Sequence, residues 1–354
     1  MKLLIITQAV DQDDSNLGFF CRWVTKFAAH CEHVLVICLR EGTHALPQNV
    51  EVLSLGKEKG ASRLMRVIRF YRYVVSRRSE YDAVFVHMNP EYIVLAGRLW
   101  RRWHKSVALW YAHKSVTRRL RRALNYVSYV FTVSPTSFRI PTPKLRVVGH
   151  GIDTELFKPG MHEESAYLRV MTAGRIAESK RLVEMLQVLD VLAERGVRFT
   201  FTVVGEALTP AEERYADVLK QEIAKRPYRD AVTLLGAVPY IRLPELLNAQ
   251  DIVLNFGMTG NMDKAGLEAL AAGVPLLTTN EAFEPLLSPY GLYVKSRMPA
   301  DIAQALDEFM NRPDKAAVMA TLRNKVIAEH SLQALIPKIL TQLNSGMQSS
   351  YDTV

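Results

Sequence analysis

Short runs of aliphatic and β-branched residues alternate with amphipathic stretches along the 354-residue chain. The first series predicts strands over Lys2 to Thr7, His33 to Leu39, Ala83 to His87, Val107 to Tyr111 and Val127 to Ser134. Between them the spacing of apolar positions predicts helices over Leu17 to His30, Ser62 to Arg78 and Tyr92 to Trp103. The pattern breaks around Gly149-His150-Gly151-Ile152-Asp153 and Pro159-Gly160, then restarts. The second series predicts strands over Leu168 to Ala173, Phe199 to Val204, Val232 to Leu235, Ile252 to Phe256 and Pro275 to Thr279. Its helices are expected over Leu182 to Arg195, Glu212 to Ala224, Leu243 to Asn248 and Lys264 to Ala272. Strands this short, fully apolar and separated by helices imply parallel sheets covered on both faces.

Two α/β domains follow, over residues 1–160 and 161–335, with 336–354 a C-terminal helix ending in a frayed polar tail. No run of 18 or more apolar residues occurs, and the opening Met1 to Ile6 is too short for a secretory leader, so a cytoplasmic location is expected. Cys21, Cys31 and Cys38 match no metal-binding spacing and read as reduced, buried thiols.

Charge changes this picture, because it is unevenly placed. Residues 1–150 hold 24 Lys and Arg against 10 Asp and Glu, whereas the rest hold 21 against 26. An anionic partner is therefore expected on the first half. Arg63 to Arg78 interleaves cations with large apolar groups at helical spacing, which suits an anionic membrane surface as well as a core-facing stripe with a solvated arginine face. Arg98 to Trp103 and Arg118 to Arg122 add to the same charge.

Candidate chemistry gathers in the second half. In Val170 to Arg181 a strand ends at Gly174, and a loop carrying Arg175 and Lys180 leads into a helix. In an open α/β sheet that puts both cations at the carboxyl edge, where ligands bind, and together they suit a pyrophosphate. In Phe256 to Pro275 a strand feeds a loop, and a helix starts near Asp263 and stops at Gly273. Its N-terminus suits an anion, and Glu268, more than one turn in, suits a pair of sugar hydroxyls. In the first half, His113 follows the strand Val107 to Tyr111, and His87 closes Ala83 to Val86 with Asn89 and Glu91 beyond it. A lone histidine at either place reads equally as a packing residue.

Together these stretches resemble the retaining, nucleotide-sugar-dependent glycosyltransferases of family 4. The pieces fall in the family's order: Gly151-Ile152-Asp153 with Phe157 and Pro159, the Gly174, Arg175 and Lys180 loop, Val203 to Glu206, Leu235 to Val238, Ala249 to Ile252, and Leu267 to Pro275. The resemblance implies the GT-B fold, two Rossmann-like domains with parallel sheets facing an interdomain cleft. It implies transfer of a sugar from a nucleoside diphosphate to an acceptor hydroxyl with retention, in cell-surface glycan or glycolipid synthesis. By it, Gly174, Arg175 and Lys180 hold the donor diphosphate, Glu268 the ribose, and the strand ends near Gly205 and Val238 the base. His113 then acts catalytically beside Arg175 and Lys180, and Gly18, His87 and His113 line the acceptor side.

The chain departs from the family at two places. Gly260 stands where a second glutamate is usual, leaving Asp263 and Lys264 as candidates to compensate. The first loop, Asp11 to Gly18, keeps only Gly18 of a usual glycine pair. No cofactor is implied; a metal is not expected, since the two cations can neutralise the diphosphate. The expected partners are a nucleotide-sugar donor, a glycan or lipid-linked acceptor and an anionic membrane surface, with peripheral attachment and no nucleic acid. Two other readings remain at this point: a basic nucleic-acid-binding protein, and a GT-B sugar-nucleotide epimerase.

Overall fold

The computed structural model describes residues 1–163, 165–258 and 261–351. The chain divides into two compact units, Met1–Gly151 with His330–Val354, and Ile152–Glu329. The expected α/β class is observed in each, as a sheet of parallel strands with helices.

The first sheet has seven strands: β1 (Lys2–Val10), β2 (His33–Glu41), β3 (Val50–Ser54), β4 (Ala83–His87), β5 (Ser106–Trp110), β6 (Tyr129–Thr132) and β7 (Leu145–Val147). Their order is β3-β2-β1-β4-β5-β6-β7, and every pairing is parallel. The helices are α1 (Phe19–Ala28), α2 (Arg63–Ser76), α3 (Pro90–Arg102) and α4 (Arg118–Ala123). Ser62 caps α2 by accepting from the Met65 amide, and Thr117 caps α4 by accepting from Leu120. Sequence pattern did not show β3, β7 or α4. All five residues of β3 are half-buried on an edge strand, and α4 is six residues of mostly arginine, so neither carries a strong period.

The second sheet has five strands: β8 (Leu168–Ala173), β9 (Phe199–Val204), β10 (Val232–Gly236), β11 (Ile252–Asn255) and β12 (Leu276–Thr278). They lie in the order β10-β9-β8-β11-β12, again all parallel. Around them run α5 (Leu182–Glu194), α6 (Pro210–Ala224), α7 (Leu243–Asn248), α8 (Lys264–Ala271), α9 (Glu284–Leu287), α10 (Pro299–Met310) and α11 (Lys315–His330).

The domain limits differ from the sequence reading. The break falls after Gly151 rather than near residue 160, because Ile152 and Phe157 are buried in the second unit's core. The last helix, α12 (Leu332–Tyr351), is no separate appendage. Its Leu332, Leu335, Ile336, Ile339, Leu340 and Leu343 share a core with Phe20, Trp23, Phe27, Phe85 and Trp110 of the first unit. The helix continues through Tyr351, and residues 352–354 lie outside the described part.

The three cysteines are free and buried, and burial pushes the thiols of Cys21 and Cys31 up to about 11 and that of Cys38 to about 12. No helix among the described residues is long and apolar enough to cross a membrane.

Candidate functional site

In an open α/β sheet, ligands bind beyond the carboxyl ends of the strands, where the strand order reverses. In the second unit that point lies between β8 and β11, since the chain winds outward from β8 to β9 and β10, then returns to β11 and β12. The loops leaving β8 and β11 are the ones that carry the sequence-derived candidates.

Three glycines prepare this edge. The ladder continues past the strands: Gly174 donates to the Val204 carbonyl, and Gly205 donates to that of Gly236. Gly205 has a φ of +132°, and a Cβ there would collide with the Gly174 carbonyl oxygen. Only glycine lets the β8 and β9 loops lie this close.

Beyond Gly174 the two cations part company. Arg175 is half exposed and donates from Nη1 to Glu212 Oε1 at 2.7 Å. Glu212 sits in the first turn of α6, three residues after Thr209, whose hydroxyl accepts from the Glu212 amide. Lys180 lies in a single 3₁₀ turn, Glu178–Lys180, with its side chain 17% exposed. Its ammonium pairs with Asp263 Oδ2 at 2.8 Å, so the ion pair ties the β8 loop to the start of α8 across the point where the strand order reverses.

Asp263 is the residue before α8, yet it makes no side-chain cap. Its carboxylate turns instead to Lys180 and to Asn255 Nδ2, at 2.7 Å, at the end of β11. Asn255 is itself buried, with an amide oxygen that has no hydrogen-bond partner among the described residues. Gly257 passes over this cluster, and a Cβ there would fall 2.6 Å from Asp263 Oδ2. Gly260, where the sequence lacks the usual glutamate, lies outside the described residues.

Glu268 is neither an exposed helix residue nor a solvated one. It is 3% exposed, and burial raises its carboxyl above the ordinary range, against the pull of Lys264 and of a hydrogen bond from Tyr240. The Tyr240 hydroxyl donates to Glu268 Oε1 at 2.7 Å, and the Lys264 ammonium lies 3.8 Å from the same oxygen. Burial pushes that ammonium down to about 8, opposed by Glu268 and by buried Asp153. Gly266 explains the burial, because a Cβ there would lie 2.8 Å from Leu276 and Phe283, so α8 can press directly onto β12. At the far end of α8, Arg323 donates to the carbonyls of Ala271 and Phe157.

Of the residues singled out from sequence, the structure brings together Gly174, Arg175, Lys180, Gly205, Asp263, Lys264 and Glu268 on one sheet edge of one unit. Val238 packs against that unit's core just after β10. Sequence reasoning did not find Tyr240, Asn255 or Glu212. Tyr240 follows Val238 by two residues in a loop with no repeating pattern, and nothing in the string shows that it turns toward Glu268.

The first unit reverses strand order between β1 and β4. Gln8 Nε2 donates to Asn89 Oδ1 there at 3.0 Å, and Thr7 Oγ1 meets His87 Nδ1 at 3.4 Å. His87 is 4% exposed and stacked on Phe20 at 4.3 Å, beside Trp23, so packing dominates its surroundings. His113 is exposed, and its Nδ1 accepts from the Ser115 amide at 2.9 Å. β5 ends at Trp110, three residues before it. Gly18 is required by the loop after β1, since a Cβ would lie 2.7 Å from the carbonyl oxygens of Asp14 and Gln12.

At the opposite edge of that sheet, His33, Glu51 and Glu80 lie close enough to share a cation. Arg77 already bridges both carboxylates, which accounts for the cluster as an ion-pair network.

Residues 153–325 match the family model described as glycosyl transferases group 1. The chain is 27% identical over 221 residues to the amylovoran biosynthesis glycosyltransferase AmsK of Erwinia amylovora, covering 57% of this chain and 52% of that protein. It is 25% identical over 217 residues to the putative colanic acid biosynthesis glycosyltransferase WcaL of Escherichia coli K12, covering 58% and 52%. The chain thus spans about half the length of the curated relatives it matches. Among solved structures, Anabaena Alr3699/HepE in complex with UDP and glucose superposes with a TM-score of 0.74 at 18% identity, covering 98% of this chain and 100% of that one. The fold is therefore of the GT-B type, with two Rossmann-like parallel sheets.

Proposed function

We propose that this chain is a group 1 glycosyltransferase that moves a sugar from a nucleoside diphosphate to an acceptor hydroxyl in cell-surface glycan synthesis. The observation that carries the reading is the Lys180–Asp263 pair, which bridges the two loops where an open α/β sheet takes its ligand, with Arg175 on the same β8 loop, paired to Glu212, and a buried Glu268 on α8. The names of an amylovoran biosynthesis glycosyltransferase and a putative colanic acid biosynthesis glycosyltransferase among the relatives, and of a structural neighbour in complex with UDP and glucose, support the same class.

In this reading Arg175 and Lys180 bind the diphosphate and stabilise the charge that grows as the sugar departs. Removing one such preorganised contact costs roughly 3 kcal/mol of transition-state stabilisation. The loops near Gly205 and Val238 receive the base, and Glu268 the ribose. Transfer proceeds with retention, as in the glycosyltransferases of family 4. Gly18, His87 and His113 of the first unit serve the acceptor. Because the two cations neutralise the diphosphate, a chelator should leave nucleotide binding in place.

The first unit also offers a surface for an anionic membrane. On α2, Leu64, Met65, Ile68 and Val75 are exposed, Leu64 to 71%, alongside exposed Arg63 and Arg72. An apolar stripe flanked by arginine suits peripheral attachment to acidic lipid and a lipid-linked acceptor.

The test is thermal unfolding with UDP, GDP, ADP and CMP, on the natural protein and on the double variant Arg175→Ala, Lys180→Ala. A ligand at about 100 times its Kd adds about 2.7 kcal/mol of stability. For a unit of this size that is a rise of roughly 5–10 °C. A rise with one nucleoside diphosphate that the double variant loses supports the reading; no rise with any of them overturns it.

A further inference from the structure

Glu268 can serve a ribose only as a carboxylate held still with an open edge, because an ionised carboxylate accepts from both hydroxyls whereas a protonated one spends an oxygen as a donor. Burial works against that state. An acid withdrawn from water tends to take up a proton unless hydrogen bonds or cations favour the charge. Among the described residues, two groups meet Glu268 Oε1: the Tyr240 hydroxyl at 2.7 Å and the Lys264 ammonium at 3.8 Å.

Tyr240 is braced on two sides. Its ring meets the fully buried Phe157 edge-on at 5.3 Å, and the Lys264 ammonium lies 5.7 Å from its ring centre. Lys264 in turn faces buried Asp153 from the segment that opens the second unit. The tyrosine therefore fixes the carboxylate directly through its hydroxyl, and fixes the ammonium through its ring. Neighbouring Ile241 is exposed, which places this short 3₁₀ turn, Tyr240–Arg242, at the surface beside the sheet's carboxyl edge.

We propose that Tyr240 is a positioning residue for ribose recognition: its hydroxyl, with Lys264, holds the Glu268 carboxyl group oriented so that both ribose hydroxyls of the donor nucleotide can donate to it. This rests on the reading that the edge binds a nucleoside diphosphate. Tyr240 itself acts through Glu268 rather than on the nucleotide, so its loss should affect the ribose and leave the phosphates alone.

The experiment measures dissociation constants of UDP, ADP and GDP and of their 2′-deoxy forms, by calorimetry, on the natural chain and on Tyr240→Phe. Phenylalanine keeps the ring that Phe157 and Lys264 touch. The natural protein should prefer a ribonucleotide by about ten- to a hundredfold, the usual range for a hydrogen bond to a charged group. Tyr240→Phe should bring that preference to within about threefold while 2′-deoxynucleotide binding stays unchanged. The preference should also disappear at a higher pH in Tyr240→Phe than in the natural chain as the solution is acidified, since Glu268 then protonates sooner. A merely structural role would weaken both nucleotide forms alike and would not move the pH profile.

If no nucleotide binds the natural protein, the reading of the site fails with it. If the natural protein binds and discriminates but Tyr240→Phe discriminates equally, the site stands and the role of Tyr240 is overturned. Tighter ribonucleotide binding by Tyr240→Phe overturns it too, because the hydroxyl would then be competing with the ribose. Glu268→Gln serves as a second variant: combined with Tyr240→Phe, it should lose no more discrimination than either change alone.

Discussion

Asp263→Asn should weaken the fold and strengthen the ligand, two effects of opposite sign from one atom. Asp263 and Lys180 form a pair with side chains 13% and 17% exposed, too buried to be discounted as a surface ion pair. Asparagine preserves the volume beneath Gly257 and an oxygen for the Asn255 amide, so the change removes mainly the charge on Lys180's partner. A hydrogen bond to a charged group is worth about 1.5–3 kcal/mol. In a unit of this size about 2 kcal/mol lowers the unfolding midpoint by roughly 4–8 °C. A diphosphate arriving at the same place meets a lysine already neutralised and a carboxylate that repels it. Freeing Lys180 and removing that repulsion should tighten nucleoside diphosphate binding by about tenfold, or about 1.4 kcal/mol. Thermal unfolding without ligand gives the first quantity and calorimetric titration with UDP the second. If affinity falls together with stability, Asp263 contacts the ligand itself or positions α8 for it, and the argument that it competes for Lys180 is refuted.

Lys264 sets two pH dependences of opposite sign. Its ammonium is held down to about 8 in the folded chain, below the value near 10.4 of a free lysine, so between those limits the unfolded chain binds the extra proton and stability should rise with pH. Over the same range Glu268 loses its cation and ribonucleotide binding should weaken; difference curves against Lys264→Met, in unfolding and in calorimetry, isolate both, and a flat difference would contradict the assignment. Gly205→Ala should cost more than 2 kcal/mol, because it combines a forbidden backbone angle with a collision at the Gly174 carbonyl; Gly196→Ala, at a φ of +75° with nothing within 4 Å, should cost about 1 kcal/mol, and equal urea midpoints would refute the comparison. Leu64→Ser with Ile68→Ser should abolish flotation with vesicles rich in anionic lipid while leaving the unfolding midpoint unchanged, since both side chains are exposed; retained flotation would move the membrane surface elsewhere.

Much of the architecture was legible because buried parallel strands are nearly continuous apolar runs. Leu168 to Ala173, Phe199 to Val204 and Leu243 to Asn248 were read to the residue. The strands that escaped are edge strands; β3 is half-buried throughout, and its five residues, Val50 to Ser54, are too few to set either a continuous apolar run or a sustained alternation. The loop cations were legible for a different reason: Gly174 and Gly205 mark strand ends, and whatever charge follows such a glycine must stand at the carboxyl edge. What the string could not show was pairing across loops. Nothing in Lys180 and Asp263 announces that they meet over 83 positions, or that Tyr240 turns toward Glu268 while Val238 beside it faces the core. Such contacts depend on how far each loop reaches, and that is settled by close approaches such as Gly257 over Asp263 rather than by any period. The fate of the last helix was hidden likewise, since its apolar face fits either unit until the strands it covers are known.

That returning helix sets the order in which the two units can be completed. The second unit, Ile152–Glu329, is contained between two crossings, whereas the first unit is built from both sides of it. During synthesis the second unit can close its own core as soon as it leaves the ribosome. The first unit, though made earlier, must wait with Phe20, Trp23 and Phe27 beside an open face until Leu332 to Leu343 arrive to cover them. The half of the molecule translated first is therefore the half completed last, and a prematurely ended chain would present a finished second unit joined to an apolar surface that chaperones and proteases recognise.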